Sequence, residues 1–163
     1  MNELVVLVVE DEAEVREAVV RDLAPLAGSV RIEAADDVDD ARAAMADVAA
    51  DGDRLGLVLA DHRLPGATGV DFLVELHAEP ATAATRKVLV TGQAGQADTI
   101  RAVNDAGLDH YVAKPWDPAE LLEVTRRALT DFVIDEGLDL LRYVRDLDGP
   151  RLLDAYARRA GDR

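Results

Sequence analysis

Residues 4–12 read Leu-Val-Val-Leu-Val-Val-Glu-Asp-Glu, six apolar residues without interruption and then three acids. A strand with one wet face alternates apolar and polar residues, whereas a strand covered on both faces stays apolar along its length. The run at 4–9 is of the second kind. Similar strand-sized runs recur at 30–34, 55–60, 88–91 and 110–113. Between them, apolar residues fall at helical spacing. The sets are Val15, Ala18, Val19 and Leu23; Val38, Ala41, Met45 and Val48; Val70, Leu73, Val74 and Leu76; Ile100, Val103 and Ala106; and Leu121, Leu122, Val124, Ala128 and Leu129. Five strands alternating with five helices predict an α/β domain, a doubly wound five-stranded parallel sheet with right-handed crossovers.

Local punctuation supports these limits. In Asp117-Pro118-Ala119-Glu120, Asp can cap, Pro suits the first helical position and Glu lies three residues on, so a helix is expected to start there. Gly107 is expected to end the helix before it, and Pro80 opens a loop before the fourth strand. Asp36-Asp37 and Asp39-Asp40 precede a helix, where capping and the helix dipole account for them. Beyond Thr130 the pattern remains helical, with Phe132, Val133, Leu138, Leu140, Leu141, Val144, Leu147, Leu152, Leu153 and Tyr156. The chain therefore divides into a domain at 1–130 and a C-terminal helical extension at 131–163. Gly137 either ends a helix or sits inside a longer one. The apolar residues of the extension need a groove on the domain or a second chain, which leaves self-packing and homodimerisation both open.

With 163 residues the chain suits one domain of ordinary size plus an appendage. It has no cysteine, which removes disulfides, thiolate metal sites and cysteine nucleophiles together. No apolar run is long enough for a membrane span, and the Met-Asn-Glu start lacks the pattern of a signal peptide, so a cytoplasmic protein is expected. The formal charge is −15, and 23 of the 33 acids lie in residues 1–118 against 10 bases. A phosphate backbone would be repelled, so no direct nucleic-acid partner is expected. Lysine occurs only as Lys87 and Lys114, amid sixteen arginines.

Functional groups of a doubly wound sheet gather at the carboxyl ends of its strands. Here the first strand ends in Glu10-Asp11-Glu12, the third in Asp61 and the fourth in Thr91, and the fifth leads to Lys114-Pro115. Carboxylates brought together repel one another unless a cation neutralises them. A site of carboxylate and carbonyl oxygens suits Mg²⁺.

The stretches 4–12, 57–69 (Leu-Val-Leu-Ala-Asp-His-Arg-Leu-Pro-Gly-Ala-Thr-Gly), 88–92 and 110–115 (His-Tyr-Val-Ala-Lys-Pro) together resemble the receiver domain of two-component response regulators. The resemblance covers roughly residues 1–130 and implies a flavodoxin-like sheet of order 2-1-3-4-5. It implies that Asp61 accepts a phosphoryl group from a sensor histidine kinase or phosphotransfer protein. It implies Mg²⁺ on Asp11, Asp61 and the backbone carbonyl of Arg63, with Glu10 acting directly or through a water. Lys114 and the Thr91 hydroxyl would neutralise the transferred group, and the Lys114–Pro115 bond is expected to be cis. Thr91 and Tyr111 would form the switch, altering the surface of the fourth helix, fifth strand and fifth helix. Arg63 and Gln93 would tune hydrolysis of the acyl phosphate. Glu10 departs from the commoner aspartate by one methylene. Trp116 lies next to the motif, where it can report on the metal or pack beneath the fifth helix.

Other chemistries fit less well. An aspartyl-phosphate hydrolase would resemble a pattern with a second aspartate two residues after the nucleophile, where this chain has Arg63. A flavin carrier would need a hydroxyl-rich phosphate loop in place of Glu10-Asp11-Glu12. Ser29 is the lone serine and lacks an elbow motif, and His62, His77 and His110 lack metal-ligand spacing, so surface or structural roles are expected for them. Two outputs remain open. One is a free-standing receiver whose C-terminal helices dimerise or dock on an effector. The other is the receiver of a larger protein whose enzymatic effector lies outside these residues.

Overall fold

The computed structural model of the chain describes residues 2–92 and 95–162. Its elements run β1 (Leu4–Val9), α1 (Ala13–Asp22), β2 (Val30–Ala35), α2 (Val38–Ala50), β3 (Arg54–Ala60), β4 (Arg63–Leu64), β5 (Ala67–Thr68), α3 (Gly69–Ala78), β6 (Arg86–Val90), α4 (Gln96–Asp105), β7 (His110–Val112), α5 (Pro118–Asp135) and α6 (Gly149–Gly161). Short 3-10 turns occupy Ala24–Leu26 and Leu140–Tyr143. Five strands pair in parallel in the order β2-β1-β3-β6-β7, the expected flavodoxin-like arrangement. The other two, β4 and β5, pair only with each other, antiparallel, across Pro65-Gly66. Gly66 takes φ +74° there, a backbone conformation that suits glycine. Strands of two residues are too short to show a period, so this hairpin is absent from the sequence expectation.

Why the central strands read as unbroken apolar runs is visible in the two cores. Leu4, Val6, Val8, Leu57, Leu59, Val88 and Val90 face α1 and α5, where Val19, Leu23, Leu121, Leu129 and Phe132 meet them. Leu7, Val9, Val58, Ala60 and Leu89 face the other way, toward α2 and α3, onto Val38, Ala41, Val70, Leu73 and Leu76. Successive side chains point to opposite faces and each face is covered. The expected helix starts are also in place. Asp117 accepts from the Ala119 amide at 3.0 Å with Pro118 opening α5, and Asp37 accepts from the Asp40 amide at 2.7 Å at the head of α2.

Thr130, where the extension was expected to begin, lies within α5, which continues to Asp135 because Phe132 and Val133 are still core residues. Gly137 ends this helix. It takes φ +67°, and the Leu138 amide returns to the Val133 carbonyl at 3.1 Å, a glycine-terminated cap. Leu140, Tyr143, Leu147 and Leu152 then join the α1–α5 core, while Leu141, Leu153 and Tyr156 remain about half exposed. Ser29 bonds Asp146, and Arg126 donates to the Asp146 carbonyl at 2.8 Å, fastening the segment to the turn after α1 and to α5.

The fourth sheet strand starts at Arg86, two residues earlier than the apolar run, and includes Lys87 with only 1% of its surface exposed. Its ammonium donates to the carbonyls of Thr82 (3.4 Å), Ala83 (3.2 Å) and Thr85 (2.5 Å), closing the loop before β6. Burial pushes this amine down to about 8, opposed by the nearby Asp109 carboxylate. Replacing Lys87 by Met should lower unfolding free energy by about 2 kcal/mol, because the carbonyls lose their donor. Urea denaturation measures this, and a loss below about 0.5 kcal/mol would mean that water serves the carbonyls equally well.

Candidate functional site

The carboxyl ends of β1, β3, β6 and β7 share one edge of the sheet; Glu10, Asp61 and Thr91 directly follow the first three, and Lys114 comes two residues after β7. Parallel pairing sets their levels: the Asp61 amide donates to the Val9 carbonyl at 3.0 Å, and the Thr91 amide to the Val112 carbonyl at 3.0 Å. Glu10, Asp61 and Thr91 are all buried at this rim. The Lys114 ammonium bridges two of the acids, 2.7 Å from Glu10 Oε1 and 2.9 Å from Asp61 Oδ2. The Lys114–Pro115 bond is cis.

An open cleft of about 480 Å³ lies over these groups, lined by Asp11, Glu12, Asp61, Arg63, Thr91, Gly92, Lys114 and Pro115. Carboxylate oxygens of Glu10, Asp11 and Asp61 lie within 4.8 Å of one another. Asp11 is exposed to the cleft side while Glu10 is 3% exposed. The structure thus brings together Glu10, Asp11, Asp61, Arg63, Thr91 and Lys114. Gln93 lies outside the described residues.

Glu10 Oε2 and Asp61 Oδ1 are buried and have no hydrogen-bond partner among the described residues. A buried carboxylate oxygen without a partner is costly and calls for a proton or a cation. The titration of the pair agrees. Burial pushes the Glu10 carboxyl up to about 7, the facing Asp61 adds to this, and Lys114 opposes it. Burial also pushes the Asp61 carboxyl up, but Glu10, the Thr91 hydroxyl and Lys114 outweigh that and hold it below the usual carboxylate range. Lys114 is desolvated as well, and its two carboxylate partners still raise it above an ordinary lysine. Hard oxygen donors, two of them unsatisfied, beside an open cleft fit a Mg²⁺ ion with several waters.

Supporting contacts surround the site, and sequence reasoning missed several. Arg16 on α1 donates to the Glu10 carbonyl at 2.9 Å. Trp116 packs against the α1–α5 core and donates from its indole to Asp22 Oδ2 at 2.8 Å, tying the segment after Lys114 to α1. Tyr111, half-buried, donates from its hydroxyl to the Thr91 carbonyl at 2.9 Å, so the two expected switch residues touch. His62 is buried and bonds Asp98 of α4 at 3.1 Å, and its position beside Asp61 is the only sequence hint of that. Gly69 is fixed by close approach: a Cβ there would sit 1.9 Å from the Asp61 carbonyl oxygen.

Comparison with known proteins points one way. The sequence profile of the response regulator receiver domain matches residues 6–126. The hydrogenase transcriptional regulatory protein HoxA of Cupriavidus necator is 32% identical over 124 residues, 76% of this chain and 24% of that protein. The phosphate regulon transcriptional regulatory protein PhoB of Escherichia coli is 31% identical over 138 residues, 83% of this chain and 57% of that one. This chain therefore spans between about a quarter and somewhat over half of these relatives' length. The signal receiver domain of an HD domain-containing protein from Pseudomonas fluorescens Pf-5 superposes with a TM-score of 0.72 at 24% identity, covering 84% of this chain and 94% of that one. A CheY-like receiver domain protein from Methanospirillum hungatei JF-1 gives 0.67 at 24% identity, covering 81% and 97%. At such identities these two structures bear on the fold alone.

The raised Glu10 carboxyl sets a pH dependence. Between about 4.5 and about 7 the unfolded chain releases this proton and the folded chain keeps it, so the Glu10 contribution to stability falls as pH rises through that window. In chelator, wild-type protein should lose stability relative to Glu10→Gln across this range, as read from thermal midpoints. Mg²⁺ selects the ionised form, so its stabilisation of wild-type protein should be larger above the window than below it. Parallel pH profiles for the two proteins would contradict this account.

Proposed function

The chain belongs to the response regulator receiver domain family of two-component systems, and on that premise we propose that Asp61 is its phosphoacceptor. One observation carries the reading: a lysine ammonium bridges two buried carboxylates, each with an oxygen that no described residue satisfies, and Lys114 and Asp61 line an open cleft. The donor is a phosphohistidine of a sensor histidine kinase or phosphotransfer protein. An Asp61 oxygen forms the new phosphorus–oxygen bond while the phosphorus–nitrogen bond breaks, its electron pair staying on the imidazole. Asp11, Asp61 and the Arg63 backbone carbonyl would hold Mg²⁺, with Glu10 joining directly or through a water. That ion, when bound, offsets negative charge on the transferred group.

The rest falls to this chain's own side chains. Lys114 has three N–H groups and directs two of them to Glu10 and Asp61, so the third is available to a phosphoryl oxygen. The Thr91 hydroxyl supplies a further donor at the same place, and Tyr111, bonded to the Thr91 carbonyl, carries the displacement toward the surface of α4, β7 and α5. Arg63 and Gln93 tune how long the acyl phosphate lasts. Receivers act on partners or attached effectors, and the relatives' printed names as transcriptional regulators describe those longer proteins. For this chain the effector is a separate partner or lies outside these residues, in a cytoplasmic setting. No helix among the described residues is long and apolar enough to cross a membrane.

Residues 1–130 are read as the receiver and 131–163 as an extension that fastens to it. Leu141, Leu153 and Tyr156 are the apolar side chains that the extension leaves for a second copy.

Asp61→Asn should abolish acyl-phosphate formation with a small phosphodonor, measured by phosphate-affinity electrophoresis, and retained phosphorylation would require another acceptor. Beryllofluoride should change Trp116 fluorescence only with Mg²⁺ present. Sedimentation equilibrium of the whole chain should show a dimer that Leu153→Asp with Tyr156→Asp dissolves. A monomer at all concentrations removes the homodimer.

A further inference from the structure

Helix α4 is weakly seated. Of its ten residues only Ala102 is buried, while Ile100 and Val103 are 51% and 54% exposed. No side chain caps its first turn. A ten-residue helix with so little apolar contact is marginal by itself. Among the described residues, two polar side-chain contacts tie it to its neighbours. Arg101 meets Asp71 of α3 at 2.5 Å, but both side chains are more than 40% exposed and water competes for them. The other contact is His62 Nε2 to Asp98 Oδ2 at 3.1 Å, and His62 is only 8% exposed along its side chain.

This second contact is shielded at its His62 end, although the Asp98 side chain is 47% exposed, and it starts beside the acceptor. His62 follows Asp61 directly, and its backbone has little freedom: its carbonyl accepts from the Gly69 amide at 2.8 Å, and the Asp61 amide is fixed to the Val9 carbonyl. Its Nδ1 is buried without a partner, so the bond to Asp98 is the imidazole's one polar contact among the described residues.

The first turn of α4 is thus connected to the acceptor site twice. One connection is the chain itself, which reaches Asp98 seven residues after Thr91. The other is the hydrogen bond from His62. We propose that the His62–Asp98 bond is a latch that holds α4 in the arrangement of the unphosphorylated site. This rests on the assignment of Asp61 as acceptor: His62 is anchored beside that residue, so a shift of the first turn of α4 that follows phosphorylation has to break the bond to Asp98. By linkage, a chain without the latch binds the phosphoryl group more tightly and holds α4 more loosely.

Asp98→Ala and His62→Phe break the bond at opposite ends, and Asp98→Asn keeps an acceptor. Hydrogen exchange on the full chain, without phosphodonor, should show α4 amides exchanging about tenfold faster in the first two variants, with β3 unchanged and Asp98→Asn intermediate. Titration with beryllofluoride and Mg²⁺, followed by Trp116 fluorescence, should show about fivefold tighter binding in the same two variants. Arg101→Gln loosens α4 at its other tether and should leave beryllofluoride affinity as in wild type. Unchanged α4 exchange overturns the latch, as does unchanged affinity in variants of a wild-type chain that binds, or equal tightening in Arg101→Gln. A wild-type chain that binds no beryllofluoride overturns the acceptor assignment and the latch with it.

Discussion

The Lys114 ammonium between the Glu10 and Asp61 carboxylates is the contact on which the rim of the sheet depends. Two buried acids at adjacent strand ends would drive each other out of the fold or into protonation. One ammonium serves two buried acids, so that pair stays one positive charge short, and burial, with the facing Asp61 adding to it, pushes the Glu10 carboxyl up. The deficit is the physical root of the affinity proposed for a divalent cation. A site balanced by protein charges alone would have no such appetite. Burial of the acids comes from the flat apolar strands behind them, so the two cores and the charge deficit are parts of one arrangement.

Most of the fold was legible because burial on both faces leaves an unmistakable record in β1, β3 and β6. Helix limits were legible where a side chain does the capping, as at Asp117 and Asp37, or at Gly107, whereas Gly137 left the end of α5 open until its positive φ was seen. What escaped is equally physical. The start of β6 was misjudged because Lys87 interrupts the apolar run, yet its ammonium is satisfied by main-chain carbonyls that carry no residue identity. Nor could the sequence choose between self-packing and a second chain for the residues after α5. Leu140, Tyr143, Leu147 and Leu152 turn inward, and Leu141, Leu153 and Tyr156 do not, a division set by the 3-10 turn at Leu140–Tyr143.

At the site, residues at strand ends were legible because parallel topology alone brings strand ends together. Glu10, Asp61, Thr91 and Lys114 needed no side-chain detail to be placed side by side. The contacts around them did need it. Arg16 reaches a backbone carbonyl, Trp116 reaches Asp22 across 94 positions, and His62 reaches Asp98 across 36. Each joins elements whose relative orientation is known only once the helices are packed. His62 read as structural, and its burial agrees, but the partner on α4 makes its place in the fold more than filling.

The chain uses arginine sixteen times and lysine twice, and at both lysines several oxygens meet a single nitrogen. Each is a point charge toward which oxygens converge from separate directions: three carbonyls at Lys87, two carboxylates at Lys114. A guanidinium presents its donors in one plane and suits a single carboxylate approached side-on. Several arginines here meet one carboxylate at the surface, as Arg54 with Glu136 and Arg151 with Asp131 do, while Arg31 spreads its nitrogens over Glu3, Glu33 and Asp53. An ammonium radiates its three donors from one atom and can be surrounded. At Lys87 all three directions end on the protein, which makes a closed structural joint. At Lys114 two do, beside the open cleft, so the ammonium that anchors this end of the sheet keeps one N–H beyond its two carboxylate bonds.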